Sequence, residues 1–158
     1  MRFTQKYLCF ALLAFGLLFS SFARADQEPV TREKMQNAYM TFLKQEGFVP
    51  ELTEKGSVIF KSEGNVLILL ASEKFPLYFR LSNIFKWTMT EEEKKQKTLT
   101  AANKASMETR VVKVVVGDDF ISFDFEALMT DPESFRLFFK DALLGIRYAR
   151  GVFFEAVK

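Results

Sequence analysis

The segment Arg110–Glu126, RVVKVVVGDDFISFDFE, constrains the fold more than any other part of the chain. Valines fill both sides of its first half, and in its second half Ile121, Phe123 and Phe125 alternate with polar residues. An alternation of period two is typical of a strand with one buried face. The Gly117-Asp118-Asp119 stretch between the halves consists of turn-forming residues. The segment therefore predicts a β-hairpin, which needs further strands to build a stable sheet.

Three shorter apolar runs predict those strands, at Ser57–Lys61, Val66–Ala71 and Phe75–Trp87. The stretch Ser62-Glu63-Gly64-Asn65 between the first two predicts a tight turn, because Gly and Asn tolerate the positive φ angles that such turns need. The run Phe75–Trp87 alternates apolar and polar residues, which indicates one buried face. Val66–Ala71 is apolar on both faces and is predicted to lie in the centre of the sheet.

Three helices complete the prediction. Thr31 is a predicted N-cap, followed by apolar residues at helical spacing up to a stop at Gly47. Thr90 and Glu93 form a predicted capping box for a second, weakly amphipathic helix. A third helix is expected to start at 131–133, Asp-Pro-Glu, and to run to Ala156. The fold class is therefore α+β, a single domain with an antiparallel five-stranded sheet and elements in the order α-β-β-β-α-β-β-α.

Residues 1–25 are interpreted as a signal peptide. Arg2 and Lys6 precede an apolar run, and Ala23-Arg24-Ala25 has the small-residue pattern of a cleavage site. An N-terminal membrane anchor is the competing interpretation, but the apolar run is shorter than the ~20 residues that a membrane span needs. A lipid anchor on Cys9 is the other alternative, although Cys9 lies within the apolar run. We expect cleavage after Ala25, a mature domain at 26–158 without a stable membrane anchor, and a periplasmic or extracellular location in a bacterium.

The mature chain excludes several kinds of chemistry by its composition. Without residues 1–25 the count of Lys and Arg falls from 22 to 19 while the 20 acidic residues remain, so the formal charge changes from +2 to −1. That charge does not favour nucleic acid as a partner. The only cysteine is lost and the chain has no histidine, which removes disulfides, thiol nucleophiles, Cys/His zinc sites and histidine acid–base catalysis. We therefore expect no cofactor, no metal and no enzymatic activity.

Two groups of carboxylates could still indicate a site. Asp118, Asp119 and Asp124 supply oxygen ligands of the kind that Ca²⁺ takes, but they lack the spaced ligand pattern of a calcium loop and fit a turn better. Glu126 could pair with the acids at 131–133 as the two carboxyls of a glycosidase. Helix capping explains the residues at 131–133 without a substrate.

The order of elements and the phrase TAANKASMETRVVKVVVGDDFISFDFEAL resemble the YbjN-like relatives of type III secretion chaperones. In that group a helix carrying an asparagine, here Asn103, leads into a valine-rich hairpin, here Val111–Phe125, and a long closing helix. The resemblance implies a small noncatalytic module, often dimeric, that binds polypeptide segments or partner proteins along its sheet and helices.

The predicted function is accordingly a protein-interaction or chaperone-like module whose partner is another polypeptide or a second copy of the chain. The partner-binding residues are predicted to be apolar residues on a second, helix-free sheet face or on the second helix: Leu67, Leu69, Val111, Val115 and Leu99. Leu69→Lys would then weaken a homodimer and leave the core intact. The alternative is a carrier or sensor of a small apolar ligand held between sheet and helices.

Overall fold

Helices and strands succeed one another through residues 29–89 and 91–158, which are the part of the chain that the computed structural model describes. The predicted signal peptide, 1–25, and Thr90 lie outside the described residues. The elements are α1 Arg32–Gln45, β1 Glu51–Leu52, β2 Val58–Ser62, β3 Asn65–Leu69, β4 Tyr78–Lys86, α2 Glu92–Thr109, β5 Val112–Val116, β6 Phe120–Leu128, a 3₁₀ helix Ser134–Leu137 and α3 Phe139–Val157.

The strands form one antiparallel sheet in the spatial order β1-β2-β3-β4-β6-β5. The α+β class with a single antiparallel sheet is confirmed, but the prediction of five strands is wrong, since the described residues form six. The additional strand is β1, where Glu51 lies opposite Ile59 and Leu52 opposite Val58. Both β1 residues are exposed, and a two-residue strand held by backbone hydrogen bonds has no side-chain alternation for a sequence pattern to detect.

One face of the sheet packs against α1, the 3₁₀ helix and α3, and this covered face holds the core. The contacts are mainly between aromatic rings, with centroids 4.9 Å apart for Tyr39 and Phe135 and 5.6 Å apart for Phe123 and Phe153. Burying one such ring stabilises the fold by about 1.5–3 kcal/mol. The buried strand residues on this face are Val58, Phe60, Leu67, Leu69, Phe79, Leu81, Val112, Ile121, Phe123 and Phe125.

The helix α2 lies along β5 at the edge of the sheet and also packs against α3. Its Ser106 Oγ accepts a hydrogen bond of 3.0 Å from the backbone N–H of Val114, on the side of β5 that faces away from β6. The alanines Ala101 and Ala105 are buried, and such small side chains let the helix approach its neighbours closely. This edge of the sheet is therefore partly satisfied by a helix, which protects it from pairing with other chains.

Both predicted hairpins form. The turn between β5 and β6 contains Gly117-Asp118-Asp119, and a Cβ on Gly117 would overlap the ring of Phe120, so a larger residue there would require that ring to move. In the β2–β3 hairpin the positive φ angles are 49° at Glu63 and 77° at Gly64. The turn itself is Glu63-Gly64, and Asn65 already belongs to β3.

Two helix starts differ from prediction. Asp131 does act as a cap, since its Oδ1 accepts hydrogen bonds from the backbone N–H groups of Glu133 and Ser134 at 2.9 and 3.1 Å, but the turn that it caps leads into the 3₁₀ helix. The α-helix begins only at Phe139. The N-cap position of α2 is Glu91, one residue after the predicted Thr90. The residue that caps a helical turn can be predicted from its type, whereas tertiary packing decides whether the turn after it is 3₁₀ or α.

Candidate functional site

Among residues 29–89 and 91–158, no helix packs against the opposite face of the sheet, which is called the open face here. Its residues are those that alternate with the covered face in each strand and lie beside one another by register. They are Ile59, Lys61, Val66, Ile68, Tyr78, Arg80, Ser82, Ile84, Lys86, Lys113, Val115, Phe120, Ser122, Asp124, Glu126 and Leu128.

The centre of the open face is a network of charged and hydroxyl groups. Arg80 Nη2 donates to Asp124 Oδ2 at 2.8 Å, and Ser122 Oγ donates to Asp124 Oδ1 at 2.6 Å. Lys113 Nζ contacts both carboxylate oxygens of Glu126, at 2.8 and 3.0 Å. Arg80 Nε is also 3.7 Å from Glu126 Oε1, which joins the two ion pairs. We call these five side chains the polar centre.

Asp124 is 0% exposed although none of the helices described above covers it. Ser82 lies opposite it on β4 and Lys113 opposite it on β5, so neighbouring side chains on both sides screen the carboxylate from water. A buried carboxylate is tolerated only when its oxygens are bonded, and both Asp124 oxygens are. The polar centre is therefore fixed in one arrangement by charge-assisted hydrogen bonds, which are the stronger kind.

Tyr78 stands at the end of the polar centre, on β4. Its burial, and then its interaction with the Glu126 carboxylate, raise the pKa of the Tyr78 phenol to about 12. The neutral phenol is therefore the form that this environment favours. The strand partner of Tyr78 is Leu128, a strongly exposed leucine.

Apolar side chains flank the polar centre on two sides. Towards the β5–β6 turn the flank consists of Ile84 and Phe120, which are 42% and 37% exposed, with the half-buried Val115 beside them. Towards the other side of the sheet it consists of Val66, 44% exposed, and Ile68. Apolar patches bordered by polar groups are typical of interaction surfaces.

The structure does not bring the five predicted binding residues together. Leu67 and Leu69 lie in the core on the covered face, and the expectation that they populate the second face is wrong. The reason is register, since Leu69 pairs with Val58 and Leu81, both of the covered face. Leu69→Lys would therefore disrupt the core and cannot test association.

The other three residues lie in different places. Val115 is on the open face, as predicted. Leu99 is half-exposed on α2. Val111 precedes β5, and its Cγ2 lies 3.8 Å from where a Cβ on Gly145 would stand, so it belongs to the junction of β5 with α3.

Sequence reasoning missed the polar centre. The signal was present, because Arg80 and Glu126 occupy alternate polar positions of two strands, as do Lys113 and Asp124. Opposite charges on the same face of neighbouring strands attract each other. What the sequence lacked was the pairing of β4 with β6, which alone places these charges side by side.

The other candidate sites have structural explanations. Asp118 and Asp119 are exposed in the hairpin turn. Asp131 is bonded to Ser134 and to backbone N–H groups, which hold its pKa below the usual value. Within the described ranges no three His, Cys, Asp or Glu residues are grouped as a metal ion would require. No helix of residues 29–89 and 91–158 combines the length and apolar composition needed to cross a bilayer.

Comparison with known proteins gives one likeness of fold. No protein-family model and no curated protein matches the sequence. The crystal structure of YbjN from E. coli, described as a candidate transcription regulator, is similar, with a TM-score of 0.55, 10% sequence identity, and coverage of 76% of this chain and 89% of that chain. The predicted resemblance to YbjN is confirmed. At this identity the likeness concerns the fold alone.

Proposed function

We propose that this protein is an exported, noncatalytic interaction module that binds a polypeptide partner across its open face. The observation that carries the proposal is a helix-free sheet face on which Val66, Ile84 and Phe120 are exposed beside an ordered polar centre. Apolar side chains supply the favourable free energy of association when a partner removes them from water.

The polar centre suits a surface that becomes covered. Covering a charged group is costly when water molecules are its only hydrogen-bond partners, because the partner protein displaces them. Here Arg80, Asp124, Glu126 and Lys113 already bond one another, so a partner can lie over them without leaving the carboxylates unpaired. The exposed Lys113 remains available for one further contact.

Roles of the acidic residues support a noncatalytic protein. Asp124 and Glu126 are engaged by Arg80 and Lys113, and Asp131 caps a helical turn. Export is proposed from the signal-like residues 1–25, and the mature chain then has neither cysteine nor histidine. The expected mature chain therefore lacks the residue types used for thiol chemistry and for histidine acid–base catalysis.

The alternative of an apolar ligand between sheet and helices is less favoured, because rings occupy that space. Phe60 and Phe139 lie 5.9 Å apart between centroids, and Phe79 and Phe135 lie 6.3 Å apart. The description of YbjN as a candidate transcription regulator would suggest nucleic acid, but the expected mature charge of −1 favours a polypeptide. A second copy of this chain remains a further polypeptide occupant that the experiment can reveal.

The proposal is tested with a permanently unfolded polypeptide, reduced and carboxymethylated, carrying a fluorescent label. Val66→Ser with Phe120→Ser removes two apolar side chains of the open face. Leu137→Ser with Leu144→Ser removes two exposed leucines of the 3₁₀ helix and α3, the elements that pack on the covered face. Fluorescence anisotropy should show binding that weakens about tenfold or more in the first variant, since two apolar contacts of about 1 kcal/mol each are lost.

The second variant is the matched control and should bind like the unaltered protein. Light scattering on the same samples reports whether a second copy occupies the open face. Equal losses in both variants would contradict a specific role for the open face. Absence of any binding by the unaltered protein, with a monomer by light scattering, would remove the proposal altogether.

A further inference from the structure

The backbone ladder between β3 and β4 is incomplete, and the stretch beside Val66 and Ile84 where it is missing is called the split. These strands share two residue pairs, Ile68 with Ser82 and Leu69 with Leu81. Beyond them β3 continues to Asn65 and β4 to Lys86, yet no residue of β3 is in register with Ile84 or Lys86. The same part of β4 stays paired with β6 through Lys86. The β2–β3 hairpin therefore diverges from β4 towards its tip.

Two contacts account for the divergence. The Asn83 side chain donates from Nδ2 to the Val66 carbonyl oxygen at 2.8 Å, so a side chain occupies the place of a backbone ladder bond. At the tip, Glu63 forms an ion pair with Arg147 of α3. Because α3 lies on the covered side, this pair links the hairpin tip to that side of the sheet.

The split presents the backbone of β4 in strand conformation. Trp87 N–H donates to the Asp119 carbonyl at 2.8 Å, and Met129 N–H donates to the Leu77 carbonyl at 2.9 Å, so the odd-numbered residues of β4 bond β6. Ladder bonds alternate sides along an antiparallel strand. The N–H and C=O groups of Ile84 and Lys86 consequently point into the split.

Charges around the split favour an acidic occupant. Among the described residues, no carboxylate lies within 4.0 Å of the cationic groups of Lys86 or Arg150. Beneath the split a cavity of about 30 Å³ is lined by Asn83 and Arg150, among others. Within the described part of the chain, Arg150 Nε and Asn83 Oδ1 are both buried without a hydrogen-bond partner. Glu63 also lines this cavity, but Arg147 already engages its carboxylate.

We propose that an extended, acidic segment of the polypeptide partner enters this split and pairs with β4 at Ile84 and Lys86. This inference rests on the proposed function and specifies how the partner is held. The segment places apolar side chains between Val66 and Ile84, which are both exposed on the open face, and a carboxylate beside Lys86. Strand addition uses backbone bonds for affinity and alternate side chains for selectivity. The hairpin tip moves outward to admit it, with Ile68 and Ser82 as the last fixed pair.

The experiment uses two synthetic peptides with threonine at every second position; between the threonines, valine alternates with glutamate in one peptide and with lysine in the other, so that valine and the charged residue share one face of the strand. Hydrogen exchange at single amides, followed by NMR, should show protection of Ile84 and Lys86 with the glutamate peptide. The comparison amide is that of Lys61, which faces the outer side of β2, where β1 ends at Glu51. Protection of Lys61 in place of Ile84 and Lys86 would overturn the inference, because the peptide would then add to the outer edge.

Two variants distinguish the split from simple contact with the open face. Lys86→Glu should weaken binding of the glutamate peptide about tenfold, since charge repulsion replaces attraction, whereas Lys140→Glu on the exposed side of α3 should not. Glu63→Gln releases the hairpin tip and should strengthen binding about threefold, because opening then costs less.

The outcomes separate the two proposals. Binding that is unaffected by Lys86→Glu and by Glu63→Gln, without protection of Ile84, would overturn strand addition and leave the open face as the binding surface. Equal binding of the two peptides would overturn the acidic preference. Failure of both peptides and of the unfolded polypeptide to bind would remove the proposed function itself.

Discussion

The covered face and the open face are built from the same strands but exclude water by different means. On the covered face, Phe79 and Phe123 are buried by rings that helices bring against them. On the open face, Asp124 is equally inaccessible, but it is buried under the side chains of its strand neighbours and bonded by Arg80 and Ser122. Complete burial on this sheet therefore does not identify the core.

The two kinds of burial respond to different changes. A helix-covered position depends on volume and polarity, so a charged substitution there removes packing and introduces an unpaired charge. A position in the polar centre depends on specific partners, so loss of one group leaves another unsatisfied. The polar centre needs no helix above it, which is why the open face can remain available to a partner.

The strongest test of this comparison places the same residue on each face of one strand. Leu69→Lys puts a charge at a position that is 0% exposed and should cost at least about 4 kcal/mol of the free energy of unfolding, enough to prevent folding in a domain of ordinary stability. Far-UV circular dichroism and urea unfolding measure the effect.

Val66→Lys is the matched control in β3, because its side chain points to the open face. It should change the free energy of unfolding by no more than about 0.5 kcal/mol. If both substitutions had the same effect, the assignment of the two faces of β3 would be wrong.

A smaller effect is expected from the polar centre. Asp124→Ala removes the acceptor of Arg80 and Ser122 and should cost about 2–3 kcal/mol, less than a fully buried ion pair because Arg80 is partly exposed and can still approach Glu126. Asp118→Ala in the exposed turn should be near neutral. Urea unfolding of both variants decides the matter, and a neutral Asp124→Ala would mean that the polar centre contributes nothing to stability.

The smallest effect is confined to alkaline pH. The pKa of Tyr78 is raised from 10.0 to about 12, so between these values the unfolded chain loses the phenolic proton while the folded chain keeps it. Stability from this group is complete below pH 10 and falls as the pH rises towards 12. Tyr78→Phe should flatten that fall.

Tyr39 on the covered face provides the comparison for this prediction. Burial alone raises its pKa, in the same direction and further, so Tyr39→Phe should flatten the alkaline fall as well. Urea unfolding from about pH 9 to about pH 12 measures the three proteins. A Tyr78→Phe curve parallel to that of the unaltered protein would show that the phenol titrates normally in the folded state.

Local sequence patterns were sufficient to predict the order of the main elements and the class of the fold. The hairpin at Arg110–Glu126, the alternation in the third apolar run and the caps at Thr31 and Asp131 are local patterns, and each has a local physical cause in side-chain direction or hydrogen bonding. The resemblance to YbjN also followed from this order.

Local patterns could not predict which apolar face of β3 is covered, because Val66 and Ile68 are as apolar as Leu67 and Leu69. That choice depends on register with β2 and β4. Long-range pairing likewise created the two-residue β1, brought Arg80 to Asp124, and left β3 and β4 split near Asn83. A pattern of residue types predicts which side chains are buried, whereas contacts between residues far apart along the chain decide what buries each of them.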